Sequence, residues 1–389
     1  MTIIEQIDKC IPASRRETIP WKAIEQLFSE TCFRDMQRTA QNPVFHGEGD
    51  VYTHTQMVCQ KLIEIPRFQV LLNSQKTELF LAAILHDIGK TKTTRSENGE
   101  WVSPHHASVG SQLVREFLWK ECGLCGTIEK TTFRETVCAL VRYHMLAMHL
   151  INQENAIRKA REVAAIAELA PDFSWNLLCM LAEADVRGRI ADDIEDSLSQ
   201  LQLSRIVAEE AGCLCEPYAF ADSFTKHAYL CGRNVQPNQI LYDDTWGEVI
   251  MLSGLPGTGK DTWILQNRLD LPVVSLDEIR EETQSSPVEN QGKIIQKAQE
   301  RARAYLRSKQ PFIWNATDLS KDLRQKQVSL FERYGAKVRI VYLETDWNIR
   351  KDRNSGRKDV VPEHIVEKML GRTVLPTSEE AQTVEWVFV

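Results

Sequence analysis

The sequence predicts two domains of different class: an all-α bundle, then an α/β domain built on a doubly wound parallel sheet. Three observations carry this reading. Up to about Gly212 apolar residues recur at helical spacing and strand signals are scarce. Residues 248 to 263, EVIMLSGLPGTGKDTW, read as a buried strand, a glycine-rich turn and the start of a helix. Beyond them short apolar runs alternate with helical stretches, the order that a parallel sheet with crossover helices requires. A chain of 389 residues with 43% hydrophobic residues can bury two such cores. The expected division is 1–235, a linker at 236–247 punctuated by Pro237 and Gly247, and 248–389.

The net charge of -7 is uneven. From Glu248 onward 22 Lys and Arg stand against 21 Asp and Glu, which leaves 25 against 33 before it. Neither part carries the strong positive charge of a surface that coats nucleic acid, although local recognition of a strand end is compatible with it. Ten scattered cysteines, of which only Cys122-x-x-Cys125 has metal-like or redox-like spacing, read as reduced thiols. Glu5, Asp8 and Lys9 come too early for a signal peptide, and no apolar run approaches membrane-spanning length. The expectation is a cytoplasmic protein with no membrane partner.

In the first domain, helices are expected near 21 to 31, 52 to 64, 76 to 89, 106 to 122, 134 to 149, 155 to 169, 174 to 187 and 194 to 211. Several apolar stripes end in a potential ligand. The stripe of Leu79, Ala82, Ala83 and Leu85 runs into His86-Asp87, and that of Leu177, Leu178 and Leu181 runs into Asp185. A bare carboxylate or imidazole at the inner face of a bundle is costly unless paired or coordinated. Neighbouring helix positions diverge, so His86 and Asp87 can converge on one ion only at a helix end, which Gly89 supplies. His54, His105-His106 and His144 complete a set that suits Mn, Fe, Co, Ni or Zn better than Ca. Lys90 reads either as a phosphate contact beside the metals or as the solvated cation of a helix C-terminus. His149, His227 and His364 read as ordinary hydrogen-bonded histidines.

At the join, Tyr242 and Trp246 read as packing residues. The stretch from Gly254 to Lys260 then carries the G-x-x-x-x-G-K pattern of a P-loop, in which Gly254, Gly257, Thr258 and Gly259 bring backbone N–H groups to a polyphosphate and Lys260 reaches its outer phosphates. Where a P-loop usually carries Ser or Thr to touch Mg2+, this chain has Asp261 followed by Thr262, and Asp261 reads as a variant magnesium contact. Strands are expected at 272 to 276, 311 to 315, 337 to 344 and in the final TVEWVFV, with helices near 289 to 308 and 320 to 334. Polar residues just past the strand ends are the candidates. Asp277 would accept the proton of an attacking hydroxyl and Arg280 would hold a phosphate of the molecule that bears it. Arg350, Arg353 and Arg357 read as a lid over ATP phosphates, while Asn315, Thr317 and Asp318 could line the site.

The order H...HD...H...H...D closed by ADVRG resembles the HD-domain metal-dependent phosphohydrolases. Carried over residue by residue, the resemblance implies His54, His86, Asp87, His106, His144 and Asp185 as ligands of one or two divalent transition metals. The His105-His106 pair leaves the register open, and His-x-x-x-Gly in HASVG favours His106. The segment QNPVFHGEGDVYTHT, with His46, also resembles the HD domain of some bacterial tRNA nucleotidyltransferases, although no nucleotidyltransferase head is seen. The second domain, with G-x-P-G-x-G-K, D-x-x-R and an Arg-rich lid, is similar to polynucleotide 5′-kinases. Together the two halves resemble the bacterial HD-domain polynucleotide kinase-phosphatases. That resemblance implies phosphorylation of 5′-OH ends by ATP or another nucleoside triphosphate with Mg2+, and removal of 2′,3′-cyclic, 2′- or 3′-phosphates. RNA or DNA strand ends would be the substrates and a nucleic acid ligase the enzyme acting next. Both folds also serve small molecules, so a nucleoside or metabolite kinase fused to a nucleotidase, or an ATP-gated HD regulator, are the competing expectations.

Overall fold

A computed structural model describes residues 1–267, 270–283 and 291–389. The chain forms two compact units, the first comprising Met1–Leu124 and Glu129–Tyr218, the second Cys125–Ile128 and Ala219–Val389. The first unit is helical. Helices α1 (Val51–Glu64) and α5 (Trp175–Arg187) pack on each other and on α2 (Asn73–Leu85), and α6 (Ile194–Glu210) covers α5. Every residue of α2 from Thr77 to Leu85 is buried, so this helix runs through the core with apolar residues on all faces, not along one stripe. A short hairpin of β1 (Arg95–Glu97) and β2 (Glu100–Val102) leads into α3 (His106–Lys120), and the long α4 (Ile128–His149) follows. The sequence did not announce this hairpin as strand, nor the helices Ile3–Cys10 and Glu30–Gln37 that flank the first part of the bundle.

Local chemistry sets where the helices begin. Asp50 caps α1: its Oδ1 accepts from the Thr53 N–H at 2.9 Å and its Oδ2 from the Thr53 hydroxyl at 2.7 Å. This fixes the first turn, on which His54 sits. Ser174 caps α5 by accepting from the Leu177 N–H.

The second unit starts earlier than the boundary at 235 to 247, and the reason is helix α7 (Ser223–Leu230). His227 on α7 is buried, with Nε2 3.0 Å from Glu332 Oε1 and Nδ1 3.2 Å from the Ser378 carbonyl oxygen. The Cys231 thiol donates to the Glu379 carbonyl. Residues 219–247 therefore belong with the second unit and are not a linker. Of the two aromatics at the join, Trp246 packs, its indole N–H donating to the Tyr334 carbonyl at 2.7 Å, whereas Tyr242 is 88% exposed.

Both His227 ring nitrogens face acceptors, so the imidazolium fits the pocket better than the neutral ring. Burial lowers its pKa, but the Cys231 and Glu332 contacts outweigh burial and raise it to about 9. A folded pKa above the unfolded value contributes stability that is complete below about pH 6.5 and is lost as pH rises through 9. The second unit is accordingly expected to lose at most about 3 kcal/mol over that window. Denaturant melts of the native chain and of His227→Gln across pH 6 to 10 check this, with a flattened profile expected for the variant.

The sheet of this unit is all parallel, in the order β4 (Val273–Ser275), β5 (Phe312–Asn315), β3 (Glu248–Ser253), β6 (Lys337–Glu344) and β7 (Thr383–Phe388). The chain leaves β3 for the strands on one side and returns to build β6 and β7 on the other. A crevice therefore opens at the carboxyl end of β3, where such sheets bind ligands. Helices α8 (Lys260–Gln266), α9 (Leu276–Glu282), α10 (Gln291–Arg307), α11 (Lys321–Arg333), α12 (Trp347–Ser355) and α13 (Glu363–Leu370) complete the unit. The first two residues of the helix expected at 289 to 308 lie outside the described residues. No helix among the described residues is long and apolar enough to cross a membrane.

Candidate functional site

The first site is built at the end of the buried helix. Helix α2 stops at Leu85 with His86 as its cap, so His86 and Asp87 occupy the turn, not consecutive helical positions, and can face the same space. Gly89 closes that turn against the start of α3: a Cβ there would lie 2.0 Å from the His106 carbonyl oxygen. No other residue fits, and this contact brings His106 beside Asp87. His105 stands just before it with a left-handed backbone and is exposed, so His106 is the member of the pair that reaches the cluster.

The Asp87 carboxylate divides the cluster in two. Its Oδ2 is 3.4 Å from His86 Nε2 and 3.8 Å from His54 Nε2; its Oδ1 is 3.4 Å from His106 Nε2 and 3.8 Å from His144 Nε2. Asp185 on α5 adds Oδ1 at 3.0 Å from His54 Nε2. Two potential metal-binding groups share Asp87: His54, His86 and Asp87 on one side and Asp87, His106 and His144 on the other, and a third, His46, Glu48 and His54, adjoins the first through His54. All six residues named from the sequence meet here.

The donor chemistry fits a divalent cation. His86, His106 and His144 place Nδ1 2.9, 2.8 and 2.7 Å from the carbonyls of Ala83, Ser103 and Val141, so each carries its proton on Nδ1 and turns an Nε2 lone pair inward. Those three Nε2 atoms and Asp87 Oδ1 are buried without a hydrogen-bond partner. Such orphaned acceptors crowded together are expensive unless a cation lies among them. Burial and the neighbouring His86 and His106 push His144 down to about 3, which keeps it neutral and available as a ligand. Burial lowers His54 as well, yet its contacts with Asp185 and Glu48 outweigh it and raise the pKa to about 9, so a cation bound at its Nε2 would displace a proton. Imidazole and carboxylate together suit divalent transition metals.

Three residues around this centre were not singled out as functional from the sequence or were left ambiguous. Glu48 Oε1 lies 2.8 Å from Nδ1 of both His54 and His46, while its Oε2 accepts from the Ile190 N–H. It stands behind His54 where a carboxylate commonly stands behind a metal-ligating histidine. Its signal was its place between His46 and His54, on a loop without periodicity. Glu48→Gln is expected to weaken Mn2+ binding by about 10–100-fold, read by calorimetric titration of chelator-stripped protein. Lys90 is buried, donating to Gln41 Oε1 and Asp87 Oδ2, both at 2.7 Å, so it faces the centre and not solvent. Burial would raise the Asp87 pKa, but Lys90 and His86 hold it well below the usual carboxylate range. Arg189 presents a nearly buried guanidinium whose Nε and Nη2 have no hydrogen-bond partner. It lines the same cavity of about 850 Å³ as Asp87, Lys90, His106 and Asp185.

The second site lies at the carboxyl end of β3. Gly254 and Gly257 are both required: each has φ in the left-handed half of the map, and a Cβ would lie 2.6 Å from the Leu343 carbonyl oxygen at Gly254 and 2.5 Å from that of Arg350 at Gly257. Lys260 curls back over the loop, donating to the carbonyls of Gly254 at 2.8 Å and Leu255 at 3.1 Å. Burial lowers its pKa to about 8, against the opposing pull of Asp261 and Asp277. Thr258 is buried, its hydroxyl donating to the Leu255 carbonyl. A cleft of about 580 Å³ is lined by Gly257, Gly259, Lys260, Asp261, Thr262, Asp277, Arg280, Asn315, Thr317, Arg353 and Arg357.

Asp277, on the first turn of α9, is ion-paired to Arg280 and, at 2.8 Å, to Arg357. Asn315 at the end of β5 donates to Asp261 Oδ1 at 2.7 Å, which fixes that carboxylate at the edge of the cleft. Two expectations are corrected. Arg350 does not face the cleft: it is 1% exposed, ion-paired to Glu363 on α13 and stacked over the Trp347 ring at 4.2 Å. Asp318 turns away too, accepting from the Trp314 indole N–H at 2.7 Å, and its burial pushes the pKa up to about 6.

Comparison with known proteins agrees with this division. Residues 51–170 match the HD domain family and residues 249–376 match an AAA domain family. A stretch of 169 residues is 27% identical to the Multifunctional CCA protein of Hahella chejuensis (strain KCTC 2396). The match covers 43% of this chain and 35% of that protein, so the chain spans about a third of its relative's length.

Proposed function

We propose, for a chain that joins an HD domain to a kinase-like P-loop domain, that it prepares broken RNA or DNA ends for ligation. The P-loop cleft phosphorylates 5′-hydroxyl ends, and the HD centre removes 2′,3′-cyclic, 2′- or 3′-phosphates. One observation supports this most: a single chain holds both a P-loop cleft and a buried His/Asp cluster. The cleft has a carboxylate set among arginines beside a P-loop lysine, and the cluster lies beside Lys90 and Arg189. The likeness of the HD segment to tRNA nucleotidyltransferases favours a nucleic-acid end over a free metabolite.

In the cleft, Asp277 takes the proton of the 5′-hydroxyl as its oxygen bonds to the γ-phosphorus and ADP leaves. Arg280 holds the adjacent strand phosphate. Lys260, Arg353 and Arg357 balance charge on the transferred group, and Asp261 and Thr262 would hold Mg2+. At the HD centre His54, His86, Asp87, His106, His144 and Asp185 would hold one or two transition-metal ions. When bound, these supply Lewis-acid charge and make water acidic enough to ionise near neutral pH. Lys90 and Arg189 grip the phosphate oxygens.

Incubation with γ-labelled ATP and either a 5′-hydroxyl oligonucleotide or free nucleosides tests the reading. Label should enter the oligonucleotide. Label in nucleosides alone would favour a metabolite kinase, and ATP-dependent HD turnover without any transfer would favour a regulator.

A further inference from the structure

Among the described residues, the large aromatic side chains that stand in the open are Phe45, Trp101 and Tyr242, and two of the three, Phe45 and Trp101, border the metal cavity. We propose that Trp101 and Phe45 form a stacking platform at this cavity for the base of the nucleotide whose phosphate is removed. The inference rests on the reading of the HD centre as an end-processing phosphatase and adds how that centre recognises a nucleotide.

Neither ring owes its exposure to a slack segment. Trp101 sits at the middle rung of the β1–β2 hairpin, opposite the small Ser96, and is 43% exposed. The hairpin's base is tied by a 2.8 Å hydrogen bond between the hydroxyls of Thr94 and Ser103. Phe45, 47% exposed, lies in a turn whose N–H groups are pinned: Val44 donates to Asn42 Oδ1, Phe45 to the Asn42 carbonyl, and Gly47 to the Ile190 carbonyl at 2.8 Å. Two fixed aromatic rings bordering one cavity offer flat π surface to whatever enters it.

The cavity's dimensions and polarity identify what that is. Its floor, with the His/Asp cluster, Lys90 and Arg189, has the chemistry for a phosphate. A volume of about 850 Å³ is in the range that encloses a whole small molecule, so a phosphate group leaves most of it unfilled. A nucleoside attached to that phosphate supplies a flat π surface a few ångströms away. Aromatic side chains stack on bases of any identity, so the platform selects for the presence of a base and not for its sequence. The substrate class is thus a base-bearing nucleotide terminus.

The test uses full-length, metal-loaded protein and two 3′-phosphorylated oligonucleotides, one ending in an ordinary nucleoside and one in a base-less tetrahydrofuran sugar. Native protein is expected to act on the ordinary end at least about tenfold more efficiently, the scale of one base stack. Trp101→Ala should lose about tenfold in kcat/KM on the ordinary end, mostly through KM, and little on the base-less end. Trp101→Phe should keep most of the activity, and Phe45→Ala should behave like Trp101→Ala. Fluorescence anisotropy of the labelled strands on metal-free protein should show the same pattern in binding. Equal loss on both ends, or no loss on either, would overturn the platform alone. If native protein processes neither end, the phosphatase reading fails and takes this inference with it.

Discussion

Lys260→Ala is expected to lower phosphoryl transfer to a 5′-hydroxyl by on the order of 10²–10³-fold, while leaving HD phosphatase activity within twofold of native. The side chain is poised for anions. Its side chain is half-buried, desolvation lowers its pKa to about 8, and its hydrogen-bond partners are two neutral carbonyls, those of Gly254 and Leu255. A polyphosphate entering the cleft offers charged oxygens in their place, and hydrogen bonds to charged acceptors are roughly twice as strong as those to neutral ones. The loop backbone keeps other ties in the variant: the Gly254 N–H donates to the Thr317 carbonyl at 3.0 Å and the Thr258 hydroxyl to the Leu255 carbonyl at 2.8 Å. Lys260→Met, which keeps the aliphatic stem, should fail as fully as alanine; initial rates with a labelled phosphate donor decide. Sparing of the phosphatase is expected because the lysine and the histidine cluster belong to different units.

Asp87→Ala should do the reverse and produce the largest loss at the other centre. Its two carboxylate oxygens between them face all four histidines of the cluster and Lys90. Without it, both triads lose their common member, and Lys90 loses one of its two acceptors. Several kcal/mol of charge stabilisation would go with the metal, which implies a fall in phosphate removal of about 10³-fold or more. Elemental analysis of the purified variant should show metal content well below that of native protein, and kinase rates should be unchanged. Asp87→Asn keeps the shape but not the charge, so it should track alanine in metal content if the carboxylate is a ligand.

How legible these features were depended on whether they were written in periodicity or in tertiary contact. Strand β3 was readable because it is a continuous apolar run buried on either side, and β6 because Ile340 to Leu343 is such a run. His86, Asp87 and Asp185 stood out because each follows an apolar stripe, whereas His54, His106 and His144 were fixed as ligands only through the order of the resemblance. The hairpin that carries Trp101 escaped because its strands have three residues each, too short to show alternation. Its real signal was Asn98-Gly99, both with positive φ, the pair that a two-residue hairpin turn demands. Arg350 misled for the opposite reason. Its spacing from Arg353 and Arg357 suggested one helical face, but α12 ends at Ser355, and Trp347 and Glu363 draw Arg350 into the packing. Glu48 and Arg189 lie on loops, where no period marks them and only the folded chain shows what they face. The domain boundary was placed too late because α7 looks like an isolated helix in a Pro- and Gly-rich stretch until its contacts to Glu332 and Ser378 are seen.

The most direct measurement follows both ends of one oligonucleotide, bearing a 5′-hydroxyl and a 2′,3′-cyclic phosphate, incubated with ATP, Mg2+ and Mn2+ and resolved by mass spectrometry. Native protein should phosphorylate the first end and strip the second, Lys260→Ala only strip, and Asp87→Ala only phosphorylate. Two unaltered ends with native protein, or either substitution silencing both, would contradict the account of two independent centres on one chain.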